Sequence, residues 1–348
     1  MYALSSAQMK ALEDRCAAEG ISASILMENA GRAAAYAING TIPVKDKHCV
    51  VFCGSGNNGG DGFIVATELK KLGANVQVIL CFDLPKSRAA REAYEKAYAA
   101  KIPMVDLAVS PYGAELAMVG VDIVVDAIFG TGFHGELPKA GKAAAKLINS
   151  ALAAVFSLDL PSGMETDRFQ SDPDCVRADF TVVFDSLKPS HIMPLTAKLC
   201  GNICVVDIGI PPEFKKDTVY RYALVNDALA ASFLPVRAVD SNKHDHGYLL
   251  IIAGSRDYIG AAVLASMGAK RSGVGYVCVA SVEEVCRTVA LQSPECVFLQ
   301  LDSNENGRID LLAYGRLQKT MARATAIVIG PGLGLDEDTK TLVATVLK

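Results

Sequence analysis

The sequence predicts an α/β protein, built on a parallel sheet with helices packed on both faces. Three observations carry this. Short runs such as residues 50–53 and, but for Asp126, 123–129 are apolar, segments of helical spacing separate them, and glycine-dense turns stand where strand passes to helix. With 348 residues, 51% of them hydrophobic, the chain is long enough for two cored domains.

In chain order, residues 5–39 read as mainly helical. Ser5 or Ser6 can cap, and Met9, Leu12, Cys16, then Ile25, Leu26, Ala30 and Ala33 recur at helical intervals around a break at Gly20. The polar insert from Met27 to Gly31 has two readings, a ligand or partner face or a surface helix end whose helicity Gly31 lowers. A strand at 50–53 then runs into Gly54-Ser55-Gly56-Asn57-Asn58-Gly59-Gly60-Asp61-Gly62, and a helix is expected from Phe63 to Leu72 on the spacing of Phe63, Ala66, Leu69 and Leu72. Further strands are expected at 76–82, 104–107, 123–129, 154–160, 180–184 and 204–208, with helices at 87–100 and 139–149 between them.

The pattern thins over 223–242, where Pro235 interrupts it, so 1–222 is expected to form one domain and 243–348 another, with 223–242 as linker. The second part offers strands at 247–255, 275–280 and 326–329, and helices at 260–271 and 336–348. Three strands in about a hundred residues are few for an α/β domain, so this part is expected to be incomplete.

A net charge of −4 without a Lys/Arg block argues against nucleic acid as a partner, because phosphate backbones demand clustered cations. No run approaches the roughly 18 apolar residues of a membrane span, and no signal-peptide core opens the chain, which points to a cytoplasmic location. The ten cysteines stand singly, several inside apolar strands, as small hydrophobes. The five histidines complete no zinc spacing.

The glycine stretch exposes amide groups at a helix N-terminus, where an anion is the natural guest. Gly54, Gly56 and Gly59 satisfy G-x-G-x-x-G, and Asp83 follows near the place of a ribose-binding acid. Asp61 in the same turn would repel a pyrophosphate, so the stretch reads as a turn for a polar ligand and a cation. The alternative is an ordinary loop with Asp61 as N-cap.

In a parallel sheet ligands bind beyond the carboxyl ends of the strands. That rule gathers 57–61, 126–136 and 159–162 into one crevice. There Asn58, Asp126 and Ser162 would offer hard oxygen donors suited to an alkali or alkaline-earth ion, unless Asp126 and Ser162 only cap turns. Asp159 at the end of an apolar strand is either a general acid or base raised by desolvation or a satisfied structural acid.

Four motifs in order, the glycine stretch at 54–62, Val-Asp-Ala-Ile-Phe-Gly-Thr-Gly-Phe at 125–133, Leu-Asp-Leu-Pro-Ser-Gly at 158–163 and Val-Asp-Ile-Gly-Ile-Pro at 206–211, closely resemble the NAD(P)H-hydrate epimerase family. Gly-Tyr-Leu-Leu-Ile-Ile-Ala-Gly-Ser at 247–255, Arg-Ser-Gly-Val-Gly-Tyr-Val at 271–277 and Gly-Pro-Gly-Leu-Gly at 330–334 resemble the ADP-dependent NAD(P)H-hydrate dehydratase domain, and bifunctional proteins join the two in this order. The resemblance implies a Rossmann-like three-layer αβα domain followed by an incomplete ribokinase-like α/β domain. It implies that Asn57, Asn58, Gly59, Gly60 and Asp61, together with Gly130, Thr131, Gly132, Phe133, His134, Gly135 and Glu136, hold a hydrated dinucleotide that Asp159 also contacts. It further implies a K+ site from Asn58, Asp126 and Ser162, in agreement with the oxygen-donor argument.

The family interconverts R and S hydrates of NADH or NADPH, and Asp159 is the expected proton carrier. Ala261 and Gly332 match substrate contacts of the dehydratase, which would use ADP or ATP. Two departures follow. Ser190 stands where the family is expected to have glycine, which bears on the shape of that loop. The late Gly-Thr-Gly-Asp turn of the dehydratase is absent before Lys348, so loss of dehydration is expected. Two rival readings are an NAD-dependent oxidoreductase using Gly54, Gly56, Gly59 and Asp83, and a nucleotide-binding interaction protein without turnover. A homo-oligomer is left open.

Overall fold

The computed structural model describes residues 2–216 and 218–348. The chain divides into two compact units, residues 1–233 and 234–348. The first begins with β1 (Tyr2–Ala3), α1 (Ser6–Ala18) and α2 (Ala23–Thr41). Ser5 caps α1 with a full capping box and Ser22 caps α2, each satisfying amides that the first helical turn leaves open.

The central sheet follows as β2 (His48–Cys53), α3 (Asn57–Lys71), β3 (Asn75–Leu80), α4 (Arg88–Ala99), β4 (Met104–Asp106), α5 (Pro111–Ala117), β5 (Ile123–Ala127), α6 (Lys139–Asn149), β6 (Ala154–Leu158) and β7 (Phe180–Phe184). Short helices α7 (Pro189–Ile192) and α8 (Pro194–Ala197) lead to β8 (Asn202–Val206), and β9 (Tyr222–Ala223) and α9 (Asp227–Phe233) close the unit. The sheet has seven strands in the order β4-β3-β2-β5-β6-β7-β8, parallel throughout. β1 pairs antiparallel with β9 as a separate ribbon.

Both faces are covered, which is why the central strands are mainly apolar. Cys49, Val51 and Cys53 of β2 pack in the core on one face, and Val50 and Phe52 in the core on the other. The chain moves outward from β2 to β3 and β4, then returns to lay β5 on the opposite side of β2. That reversal opens a crevice at the carboxyl ends of β2 and β5.

Two sequence expectations change here. Helix α3 begins at Asn57, six residues before Phe63, so the asparagines, Gly59, Gly60 and Asp61 form its opening turns and Gly56, not Asp61, is the N-cap. The reason is close approach. A Cβ on Gly59 would lie 1.9 Å from the Gly54 carbonyl oxygen, and one on Gly62 2.6 Å from Ala127 Cβ. Only bare backbone lets the helix start this near the sheet.

The stretch from Met27 to Gly31 is likewise not a free face. Met27 and Gly31 are buried, and a Cβ at Gly31 would sit 2.5 Å from Ile64 Cβ of α3. Gly31 is the contact point of two helices. Asn29 donates to the Ile208 carbonyl at 3.0 Å, tying α2 to the 206–211 motif.

The second unit contains β10 (Tyr248–Ile252), α10 (Ile259–Arg271), β11 (Tyr276–Val282), α11 (Glu283–Gln292), β12 (Val297–Leu301), α12 (Tyr314–Met321), β13 (Ala326–Ile329) and α13 (Glu337–Val346). Its sheet has four parallel strands, order β12-β11-β10-β13, one more than the sequence reading found. The strand that escaped notice, β12, reads Val-Phe-Leu-Gln-Leu and exposes Val297 and Gln300, so its apolar run is broken. Among the described residues no helix is long and apolar enough to cross a membrane.

Candidate functional site

Asp126 is the last residue but one of β5, fully buried, and its register partner on β6 is Ser157. That pairing explains a polar residue in an apolar strand: Ser157 Oγ donates to Asp126 Oδ2 at 2.9 Å. The Ser162 amide donates to the same oxygen at 2.8 Å, Ser162 Oγ donates to Oδ1 at 2.5 Å, and the Ile128 amide reaches Oδ1 at 3.3 Å. Burial pushes the Asp126 carboxyl above the ordinary range, and the hydrogen bonds from Ser162, Ser157 and Ile128 pull it back.

Asn58 joins this group through Phe129. Its Nδ2 donates to the Phe129 carbonyl at 2.9 Å, and Ser162 Oγ accepts from the Phe129 amide at 2.9 Å. Oxygen-bearing groups therefore collect between the start of α3, the end of β5 and the loop after β6: the buried Asn58, Ser162 and Asp126 side chains and the carbonyl of half-buried Phe129 that links them. They include neither thiolate nor imidazole, which is the donor chemistry a monovalent or alkaline-earth cation takes.

Asp159 follows β6 directly and lies in the left-handed region at φ 63°, which aspartate tolerates better than most residues. Its amide donates to the Val182 carbonyl at 2.8 Å, fixing it against β7. Its Oδ1 accepts from Lys188 Nζ and from the Phe184 amide at 3.2 Å. Lys188 is 1% exposed and also donates to the Phe184 carbonyl at 2.9 Å.

His191 locks the pair. Its Nδ1 accepts the Lys188 amide at 2.9 Å, which leaves Nε2–H to donate to the Asp159 carbonyl at 2.8 Å. Burial first, then the Lys188 charge, lowers the imidazole to about 4 while Asp159 opposes, so the ring is neutral at neutral pH. Asp61, half-buried on α3, is pushed well above the carboxylate range by burial, then by Asp159 and Glu13, with Lys188 opposing.

The loop over residues 130–136 is tethered from the far side. Thr166 Oγ1 donates to the Thr131 carbonyl at 3.0 Å, and Glu165 Oε1 accepts the Gly135 amide at 3.2 Å. Phe133 is buried with its ring 5.2 Å from that of Phe129, whereas His134 and Glu136 are exposed.

Residues 23–190 match the family model described as YjeF-related protein N-terminus, and residues 249–348 match the one described as NAD(P)H-hydrate dehydratase. Curated relatives cover nearly the whole chain. A protein of Thermofilum pendens named bifunctional NAD(P)H-hydrate repair enzyme Nnr is 35% identical over 95% of this chain and 63% of its own length. A protein of the same name from Moorella thermoacetica is 33% identical over 100% of this chain and 67% of its own length. The chain belongs to the bifunctional NAD(P)H-hydrate repair enzyme family. It spans about two-thirds of the length of these relatives. The solved structure of the yeast protein ynu0 superposes with a TM-score of 0.54 at 22% identity, covering 65% of this chain and 98% of that one, a likeness of fold.

As a member of the NAD(P)H-hydrate repair family, the chain places its expected site residues in two groups. Asn58, Gly59, Gly60 and Asp61 open α3, and Asn57 beside them accepts from Ser87 Oγ at 2.7 Å. Gly130 lies against Asn58, a Cβ on it falling 3.3 Å from Asn58 Cγ, while Asp126 and Ser162 bond to one another and connect to Asn58 through Phe129. Ala261 and Gly332 belong to the second unit and touch one another: Gly332 has φ 71°, and a Cβ there would lie 2.7 Å from that of Ala261.

Sequence reasoning in this repair-enzyme family missed Lys188 as a charge partner, together with His191, Glu165 and Thr166. A lysine inside Leu187-Lys188-Pro189, four residues after an apolar strand, was the available signal. Ser190 does not distort its loop. It sits in α7 without a positive φ, and its amide donates to the Thr166 carbonyl at 3.2 Å, so glycine is not required there.

Proposed function

We propose that the first unit interconverts the R and S hydrates of NADH or NADPH at the carboxyl ends of β2, β5 and β6, with K+ bound by Asn58, Asp126 and Ser162. What carries the reading is the meeting of three distant motifs in one oxygen-bearing set beside Asp159. When bound, the cation would supply fixed positive charge to hold an oxygen-rich ligand in place. The chain's own groups do the rest.

The open start of α3 and the loop over residues 130–136 hold the dinucleotide and exclude water from the ring. Inversion at the hydroxylated carbon needs a ring bond or the C–O bond there to open and reclose. In the ring-opening route, the Asp159 carboxylate takes the hydroxyl proton as the O–H pair forms a carbonyl. The ring bond breaks with its electron pair on the atom it leaves, which receives that proton, and closure on the opposite face reverses each transfer.

We infer that the second unit contributes to ADP- or ATP-dependent removal of water from the S hydrate, with Ala261 and Gly332 against the substrate; its match to the NAD(P)H-hydrate dehydratase model supports the dehydratase part of that reading. The match over 249–348 gives no support to the expected loss of that activity.

The test mixes the purified protein with one epimer of the hydrate and follows equilibration by chromatography, with and without K+. Equilibration that K+ accelerates supports the reading, and an unchanged single epimer sinks it. If Asp159→Asn stays within a few-fold of the parent rate, the proton carrier is another residue.

A further inference from the structure

We propose that Lys188 is the positioning residue of this site, a buried side chain held by His191 and the Phe184 carbonyl that anchors Asp159 and presents one chosen carboxylate oxygen to the ligand. The proposal deepens the epimerase reading and rests on it.

The geometry is asymmetric. Both hydrogen bonds to the carboxylate, from Lys188 Nζ and the Phe184 amide, fall on Oδ1. Oδ2 accepts none and is not among the buried unpartnered atoms, so it is the oxygen through which the side chain keeps its 10% exposure. A proton carrier needs one oxygen anchored and the other open, and this arrangement supplies both.

The lysine has no freedom to do otherwise. It is 1% exposed, its backbone amide is tied to His191 Nδ1, and the same imidazole holds the Asp159 carbonyl through Nε2. One neutral ring thus fixes the backbones of both members of the ion pair. Among the described residues, Glu13 from α1 and Asp61 from α3, both acidic, feel the charges of this pair, and Asp14 and Lys10 act on Glu13 from α1. Lys188 is the basic group that Asp159, Glu13 and Asp61 share, and without it three carboxyl groups would face one another in a largely dry setting.

A group that aims a proton carrier acts on turnover more than on binding. Lys188→Met is expected to lower kcat for hydrate equilibration by on the order of 100-fold while KM moves by less than about 3-fold. In an Asp159→Asn background, where the carboxylate is already gone, the same substitution is expected to cost less than about 2-fold more, because the lysine works through Asp159. The double variant removes both charges together and leaves none bare, so it keeps the test decisive even where Lys188→Met alone fails to fold.

A Lys188→Met protein with the parent kcat overturns the proposal, as does a loss confined to KM or a further tenfold loss in the Asp159→Asn background. A parent protein that leaves a single epimer unchanged overturns the epimerase reading and this proposal with it, so the two failures are told apart by the parent alone.

Discussion

After β2, glycines lie inside the helix. Gly59, Gly60 and Gly62 belong to the opening turns of α3 and press against Gly54, Met27 and Ala127. After β10, the glycine that matters lies outside the helix: Gly254 has φ 81°, while Gly260 and Gly268 of α10 have nothing within 4 Å of an added Cβ. Thus the glycines that open α3 serve contact distance alone, whereas Gly254 serves backbone hand and contact together, its added Cβ falling 2.7 Å from Val285 Cγ1. The difference extends to chemistry. The first unit buries Asp126, Asp159, Lys188 and His191, whereas the buried polar side chains described in the second are serines and a threonine, Ser255, Ser266, Ser281, Ser293 and Thr339. Buried charge is costly and persists where it has a partner or a task, which on the proposed reading assigns the acid–base work to the first unit.

The largest expected effect breaks that division if it fails. Asp159→Asn should lower epimerization by roughly 10²- to 10⁴-fold, measured as the rate of single-epimer equilibration, while Gly332→Ala leaves that rate unchanged. The next tests the glycine contrast itself. Gly59→Ala should destabilise the first unit by at least about 3 kcal/mol in a urea titration, since its Cβ would fall 1.9 Å from a carbonyl oxygen. Gly260→Ala, facing open space in α10, should be neutral or stabilise by about 0.5–1 kcal/mol.

A third prediction of nearly equal size concerns pH. His191 has a folded value of about 4 against 6.5 for the free side chain, so between those values the unfolded chain binds more protons than the folded one. Its contribution is therefore complete above pH 6.5 and is lost as pH falls toward 4, by about 3 kcal/mol. Urea midpoints across that window should show the fall in the parent and a shallower one in His191→Gln. Smallest of all, Asn57→Ala should remove one exposed hydrogen bond with Ser87 and shift stability by less than about 1 kcal/mol.

Much of the architecture was legible because parallel strands buried on both faces leave apolar runs, as over residues 49–53 of β2 and in β10. The meeting of Asp126 with Ser162 was legible too, from the rule that loops gather at strand carboxyl ends. What escaped had physical reasons. Glycine suggested a turn in a place where helix α3 was using it for proximity. Pro111 and Gly113 masked α5, although Ser110 caps it and proline suits the first helical turn. The Lys188–Asp159 ion pair spans 29 positions of sequence, and nothing local marks a lysine that will be buried.

The left-handed backbone at Asp159 limits which amino acids can ever occupy that position. Asparagine and glycine accept φ 63° with little strain, and branched or bulky residues do not. Of aspartate, asparagine and glycine, aspartate alone can carry a proton. A descendant released from selection for turnover would therefore drift first to asparagine or glycine here, keeping its shape while falling silent, and that single letter would distinguish retired copies from working ones.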